Sequence, residues 1–232
     1  MENLMKRWLF FALSFCLGLP VVAQQKEDHR LQESYDVLRD VLNAPDKGIP
    51  HDLLDKAKCV IVVPSMKKGA FIVGASYGRG VMVCRSGEDF TGAWSAPAMF
   101  ALEGGSFGFQ AGGEATDYVI LVMNDKGAKS VMSSKVKLGG EASIAAGPVG
   151  RTSSAETDAV MNAEMLSWSR SKGVFGGVSL EGSTIRSDDD ANKRLYGKEL
   201  NAKQIIVQGE AKTPPAGQSL HQLLNSTSPR PA

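Results

Sequence analysis

The sequence predicts an α+β fold in which a strongly bent, barrel-like antiparallel β-sheet has N-terminal and C-terminal helices packed on it. Apolar residues recur at helical spacing near the two ends of the chain, whereas the middle consists of short β-branched runs. Twenty of the 25 glycines fall between Gly69 and Gly182, many of them within these runs. Glycine inside a strand marks a bend, a bulge or a close backbone approach, so the sheet should be bent rather than flat.

The first residues have the pattern of a secretory signal peptide over 1–23. Lys6 and Arg7 precede an apolar run, and small residues ending at Ala23 come before a polar segment. The run is shorter than the roughly 20 apolar residues of a spanning helix, although an uncleaved anchor is the alternative. We therefore expect export to the periplasm or the outside of the cell, with a peripheral position on a membrane as one option.

The remainder should form one domain over 24–212, followed by a flexible tail over 213–232 that is rich in Pro, Gly, Ser and Thr. Within the domain, the pattern places N-terminal helices in 26–57, the glycine-rich sheet in 58–186 and C-terminal helices in 187–209. This length is ample for a single hydrophobic core.

The first helix, expected over 26–43, is amphipathic. Leu31, Tyr35, Leu38 and Leu42 follow one stripe of a helix, and charged residues occupy its other faces. Such a helix packs its stripe on the sheet or lies on a membrane surface.

The strands are predicted from apolar runs and the turns between them. Residues 59–64 read as a strand that ends at Pro64, and residues 69–87 as two strands separated by a turn at "SYGRG". The run "DYVILVM" (117–123) is almost entirely apolar, which predicts a central strand covered on both faces. A short helix over 125–133 and a glycine-rich strand over 136–151 follow.

The C-terminal part again has helix signals. Ser187 or Asp188 is the expected N-cap of a helix over 187–197, acidic residues occupy its first turn, and Gly197 ends it. A second short helix is expected over 201–209.

Charge and motif content exclude several functional classes. Cleavage of the signal peptide would remove Lys6, Arg7 and Glu2, which takes the formal charge from +1 to zero and argues against nucleic-acid binding. The three histidines lie outside the glycine-rich region, with no second His or Cys at metal-ligand spacing and no serine-hydrolase motif. The glycine-rich stretches lead into strands rather than helices, so they are not nucleotide loops. We expect no enzyme and no cofactor.

Two cysteines of the expected mature chain, Cys59 and Cys84, lie beside predicted strands. In an oxidising compartment such a pair can form a disulfide. Two buried thiols that pack as small hydrophobic groups are the equal alternative.

Several cations lie next to glycines or in predicted turns. Backbone N–H groups of glycine turns, combined with Arg or Lys, can bind anions, although each residue alone is also typical of a solvated turn. The candidates with this setting are Lys67, Lys68, Arg79, Arg151, Arg170 and Lys172, with Lys135 and Lys137 at a helix–strand junction.

The blocks "GASYGRGVMV", "WSAPAMFALEGGSFGFQAG", "TDYVILVMN", "AAGPVGR" and "SRSKGVFGGVSLEGS…DDDANKRLYG" together resemble the SYLF domain family. The resemblance extends over about residues 30–209, and the signal peptide would make this an exported bacterial member. It implies binding of anionic membrane lipids (phosphoinositides in eukaryotic members), actin binding in some members, and no enzymatic activity. Ser169, Arg170, Ser171 and Lys172 match the family's basic–polar block. Trp168 stands where Tyr is common, and its ring suits a membrane interface.

The expected function is therefore non-enzymatic binding of anionic lipid headgroups in the cell envelope. The alternative is a structural or protein-interaction component of the envelope with no lipid ligand. Export argues against actin as a partner. The residues expected to contact lipid are Lys67, Lys68, Arg79, Arg151, Trp168, Arg170 and Lys172.

Overall fold

The computed structural model confirms the α+β class. Nine strands form one sheet, strongly curled into a half-barrel, with helices flanking it. The structure describes the backbone over 19–44, 48–70, 73–107, 115–133, 135–149, 162–171 and 173–229.

The sheet order is β5-β9-β3-β2-β1-β4-β7-β6, and β8 pairs with β7 beside β6. The pairings are antiparallel apart from the parallel pair β6–β7. The strands are β1 (Cys59–Ala70), β2 (Val73–Cys84), β3 (Ala98–Phe107), β4 (Ala115–Val122), β5 (Val136–Lys137), β6 (Ile144–Ala146), β7 (Met165–Ser171), β8 (Val174–Gly177) and β9 (Thr184–Ser187).

The helices come from both ends of the chain and from one connection. The N-cap of α4 is Asp188, whose side chain accepts from the N–H of Ala191, and Gly197 ends this helix with φ +68°, as predicted. The helices are α1 (Leu19–Leu42), α2 (His51–Lys56), α3 (Asp125–Val131), α4 (Asp189–Tyr196), α5 (Ala202–Ile206) and α6 (Gln218–Thr227), with a 3₁₀ turn at Pro215–Gly217.

The sheet is covered on both faces. Alternate strand residues point to opposite sides, so Val119 packs beneath α1, α2, α4 and α6, whereas Ile120 packs with α3 and α5. We call these the α1 face and the α5 face. Val119, Ile120, Leu121 and Val122 are all fully buried, which confirms that the "DYVILVM" run forms a central strand.

The predicted turn at "SYGRG" is wrong, because these residues lie inside β2. The chain reverses between Ala70 and Val73, and β1 continues beyond Pro64 through a bulge at Ser65, whose φ is +50°. The glycines serve close packing of strands instead. A Cβ atom on Gly80 would lie 2.0 Å from the carbonyl oxygen of Val62.

The C-terminal segment differs from the expected flexible tail. Leu220 and Leu224 of α6 are buried. The ring N–H of Trp94 donates to the carbonyl oxygens of Leu224 and Ser228 at 3.2 Å each, and Arg85 Nη2 donates to that of Ser228 at 2.8 Å. A cation at the C-terminal end of a helix also suits the helix dipole. The sequence signal for this helix is the set Leu220, Leu223 and Leu224 at i, i+3 and i+4, which lies within a segment rich in Pro, Gly, Ser and Thr.

The two cysteines are disulfide-bonded. Cys59 and Cys84 lie directly opposite each other on β1 and β2, with an S–S distance of 2.09 Å, and both are fully buried. The bond closes a loop with a sequence separation of 25 residues. Of the two alternatives that the sequence leaves open, the structure therefore has the cross-strand bridge.

Candidate functional site

Three of the predicted cations have described side chains: Lys67, Arg79 and Arg170. Arg151 and Lys172 lie outside the described residues, and for Lys68 only the backbone is described, in β1 opposite Ser76. Neither Lys67 nor Arg79 is in a turn, since both lie within strands.

Arg170 connects the first helix to the sheet. Its Nε donates to Oδ2 of Asp117 and its Nη1 to Oδ2 of Asp40 on α1, both at 2.7 Å, and its guanidinium lies 5.7 Å from the ring centroid of Phe175. Burial opposes the charge of Arg170, but the hydrogen bonds to Asp40 and Asp117 outweigh it and raise its pKa. With two carboxylates as partners, Arg170 holds α1 on the sheet, and its contact with lipid stays a prediction.

Replacing Arg170 with alanine should lower the free energy of unfolding by about 1–3 kcal/mol, because the mostly buried Asp117 would lose its charged hydrogen-bond partner. A double-mutant cycle with Asp40→Ala, measured by urea denaturation, should show coupling between the two side chains. Lys67→Ala, at an exposed strand position, is the control and should change stability by no more than about 0.5 kcal/mol. If Arg170→Ala were as stable as Lys67→Ala, this assignment would be contradicted.

Arg79 is likewise held by neighbouring side chains. Its Nε lies 2.9 Å from the hydroxyl oxygen of Tyr77, to which it donates, and 3.1 Å from Oδ2 of Asp188, the N-cap of α4. The hydrogen bond to Tyr77, followed by the charge of Asp188, raises the pKa of Arg79 against the effect of burial. Arg79 therefore fixes the N-terminus of α4 on the sheet from within β2 rather than from a turn, and its contact with an anion stays a prediction.

Trp168 is part of the core. It is fully buried on the α1 face, and its ring N–H donates to the carbonyl oxygen of Pro148 at 3.0 Å. The backbone of Gly147 lies so close that a Cβ atom there would be 2.0 Å from the indole. A membrane contact by Trp168 is therefore wrong, because its polar atom is satisfied inside the protein and its ring does not reach the solvent.

The two ends of the sheet differ in their surfaces. At one end Cys59 pairs with both Cys84 and Val122, and Val122 pairs with Met165, the first residue of β7. The other end, which we call the distal end, carries the connection between β1 and β2 and the turn between β7 and β8. Exposed Lys67 lies towards this end, and no ion pair of Lys67 occurs among the described residues.

Sequence reasoning missed the exposed apolar side chains. Val174, 60% exposed, follows the turn between β7 and β8, and Val149, 37% exposed, follows Pro148 in the segment that runs beside β7. Tyr77, 42% exposed, faces Lys67 across β1 and β2. All three lie towards the distal end. A valine directly after Gly173, whose φ is +79°, is the sequence signal for Val174.

Neither a metal-binding cluster nor a membrane-spanning helix occurs among the described residues. Within the described part of the chain, no three His, Cys, Asp or Glu side chains are grouped so that they could hold a metal ion. None of the described helices combines the length and the apolar character needed to cross a bilayer.

The fold thus defines an α+β domain built on a half-barrel sheet, whose described charged residues mostly pair with one another. A family model described as "Ysc84: Las17-binding protein actin regulator" matches residues 103–227. LAS seventeen-binding protein 3 of Saccharomyces cerevisiae is 37% identical over 184 residues, which covers 78% of this chain and 39% of that protein. SH3 domain-containing YSC84-like protein 1 of Homo sapiens is 32% identical over 185 residues, covering 79% of this chain and 53% of that protein.

The chain therefore belongs to the Ysc84 family, whose common unit is the SYLF domain. It spans between 39% and 53% of the length of these two relatives. None of the three descriptions names a reaction.

Proposed function

We propose that this chain is a non-enzymatic module that binds the anionic phospholipid surface of a membrane in the cell envelope through the distal end of its sheet. The observation that carries the proposal is the presence, at one end of the fold, of two exposed valines, Val149 and Val174, together with the exposed cation of Lys67. The signal-peptide pattern supports an exported, periplasmic or secreted location.

Each group adds a modest contribution of the kind that peripheral membrane proteins use. An aliphatic side chain gains free energy in proportion to the apolar area that it buries at the boundary of headgroups and acyl chains. A Lys near an anionic leaflet contributes about 1 kcal/mol, and salt screens this attraction. Binding by such a surface should therefore be reversible and sensitive to salt, and Lys68, Arg151 and Lys172 remain candidates to strengthen it.

Arg79 and Arg170 have a structural role in this proposal. Arg79 and Arg170 keep their carboxylate partners and hold α4 and α1 on the sheet. A phosphate group that competed for Arg170 would have to replace two hydrogen-bonded carboxylates. We therefore assign headgroup contact to exposed side chains. Among the candidate cations with described side chains, Lys67 is the one at an exposed position.

Lys67→Glu should reduce recovery with anionic vesicles in a flotation assay, because it reverses the charge at the distal end. The matched control is Lys129→Glu, an equal charge change at an exposed position of α3, next to the disulfide end of the sheet. We expect Lys67→Glu and Val174→Ser to weaken flotation on phosphatidylglycerol vesicles at low salt, and Lys129→Glu to resemble the unmodified protein. Equal effects of the two Glu substitutions, or equal recovery on zwitterionic vesicles, would refute the proposal.

A protein partner is the second candidate, because the descriptions of the family and of the yeast relative name protein binding. Here the chain would be a structural or interaction component of the envelope. Pull-down from envelope extracts, with and without lipid-removing detergent, separates the two functions. Purified actin belongs in the same assay, since export argues against it whereas the family description names an actin regulator.

A further inference from the structure

A shallow cleft lies on the sheet where β2, β3 and β9 run side by side. Tyr77 on β2 pairs with Glu103 on β3, and Glu103 pairs with Thr184 on β9, so these three side chains form one row across the strands. The cleft has a volume of about 350 Å³ and is open to solvent, so a ligand would lie on its surface. Its lining includes Ser76, Tyr77, Glu103, Gly104, Gly182 and Thr184.

An aromatic ring is presented in this cleft in a fixed orientation. Tyr77 is 42% exposed, yet its hydroxyl oxygen accepts a hydrogen bond of 2.9 Å from Arg79. Arg79 is itself paired with the buried Asp188. Because its polar end is anchored in the protein, the ring offers its apolar surface to a ligand at little cost in conformational entropy.

The polar groups around the ring include both donors and acceptors. Oε1 of Glu103 accepts from Nε of Arg186 at 2.8 Å, and Nζ of Lys135 lies 4.0 Å from Oε2. The half-buried Thr184, in the same cross-strand row, adds a hydroxyl that can both donate and accept. The carboxylate of Glu103 is thus paired with Arg186 and lies near Lys135, so acidic and basic groups border the cleft together.

From this combination we infer that the cleft binds a neutral, polyhydroxylated pyranose ring of a saccharide. An anionic ligand would meet the carboxylate of Glu103, and a cationic ligand would meet Arg186 and Lys135. An alkyl chain would remove water from Glu103 and from the hydroxyl of Thr184 without supplying hydrogen bonds in its place, which costs free energy. A pyranose has C–H groups that can lie on the ring of Tyr77 and hydroxyls that both donate and accept.

The saccharide could come from two sources, a soluble glycan or the sugar headgroup of a glycolipid. Both present the same ring to the cleft. The cleft borders Lys67, which lies opposite Tyr77, but its lining includes neither Lys67 nor the two valines, so this inference goes beyond lipid binding.

The test measures saturation-transfer-difference NMR and calorimetric titration of the full mature chain with maltotetraose, cellotetraose and chitotetraose. A parallel arm uses zwitterionic phosphatidylcholine vesicles with and without a monohexosyl lipid. We expect binding in at least one arm, and Tyr77→Ala should weaken it by about tenfold, the upper range for loss of one aromatic contact. Tyr77→Phe, which keeps the ring, should retain most of the affinity.

Absence of binding in both arms would overturn the inference, as would equal affinity of Tyr77→Ala and the unmodified protein. Binding of soluble tetrasaccharides would assign the site to a glycan, and binding of the glycolipid vesicles alone would assign it to a sugar headgroup. Val174→Ser should lose flotation on anionic vesicles yet retain saccharide binding. The two proposals can therefore fail separately.

Discussion

Replacing Trp168 with alanine should lower the free energy of unfolding by about 3–5 kcal/mol, the usual cost of removing a large buried aromatic side chain. Trp168 is fully buried, contacts the backbone of Gly147 and donates to the carbonyl oxygen of Pro148. The substitution would leave a cavity on the α1 face and an unpaired carbonyl group. Urea denaturation followed by circular dichroism measures the change without depending on the lost fluorophore.

Val174→Ala is the control for this experiment. Val174 is 60% exposed, so the truncation should change stability by no more than about 0.5 kcal/mol. A Trp168→Ala protein of normal stability that no longer floated with anionic vesicles would show that the indole is a membrane contact after all. A strongly destabilised Trp168→Ala protein would agree with its position in the core.

Reduction of the Cys59–Cys84 bond should be the second large effect, with a loss of about 3–4 kcal/mol in the free energy of unfolding. The reason is that the bond closes a loop of 25 residues in the unfolded chain, and loop closure of this length accounts for that amount in the chain-entropy description. Denaturation of the same protein with and without a thiol reductant measures the difference directly.

The double variant Cys59→Ala/Cys84→Ala serves as its control. It lacks the bond, so reductant should leave its unfolding curve unchanged. A thiol count in denaturant supplies an independent check, since the bridged pair contributes no free thiol to the mature chain. Two reactive thiols in the protein purified without reductant would contradict the bridge.

Patterns that depend on neighbouring residues predicted the fold well. The apolar run of β4 indicated a strand buried on both faces, and Asp188 and Gly197 indicated the ends of α4, because strand burial and helix capping involve residues close in sequence. The "SYGRG" turn failed for a physical reason. Glycine permits both tight turns and close approach of strands, and only the partner strand, which is distant in sequence, distinguishes the two uses.

The candidate site was harder to predict, because the charge state of a surface depends on partners that sequence does not place. Arg170 was expected to meet phosphates, yet its carboxylate partners lie 53 and 130 residues away in the chain. Tryptophan is a residue type common at membrane interfaces. Trp168 is nevertheless a core residue, because its ring packs against Gly147 and donates to the carbonyl oxygen of Pro148. Among the candidates whose side chains the structure describes, Lys67 is exposed and has no carboxylate partner in the described residues.

The docking of α6 has a consequence for the order in which the chain can fold. Arg85, at the end of β2, bonds to Ser228, 143 residues further on, and α6 packs against α1 at the opposite end of the sequence. Contacts of such high sequence separation slow folding, because a long loop must close before they form. During synthesis or translocation the chain emerges N-terminus first, so α6 becomes available only after the strands of the sheet. The α1 face can therefore be fully covered only once α6 has emerged. Until that moment the leucines of α1 depend on chaperones or on the rest of the sheet for protection from aggregation.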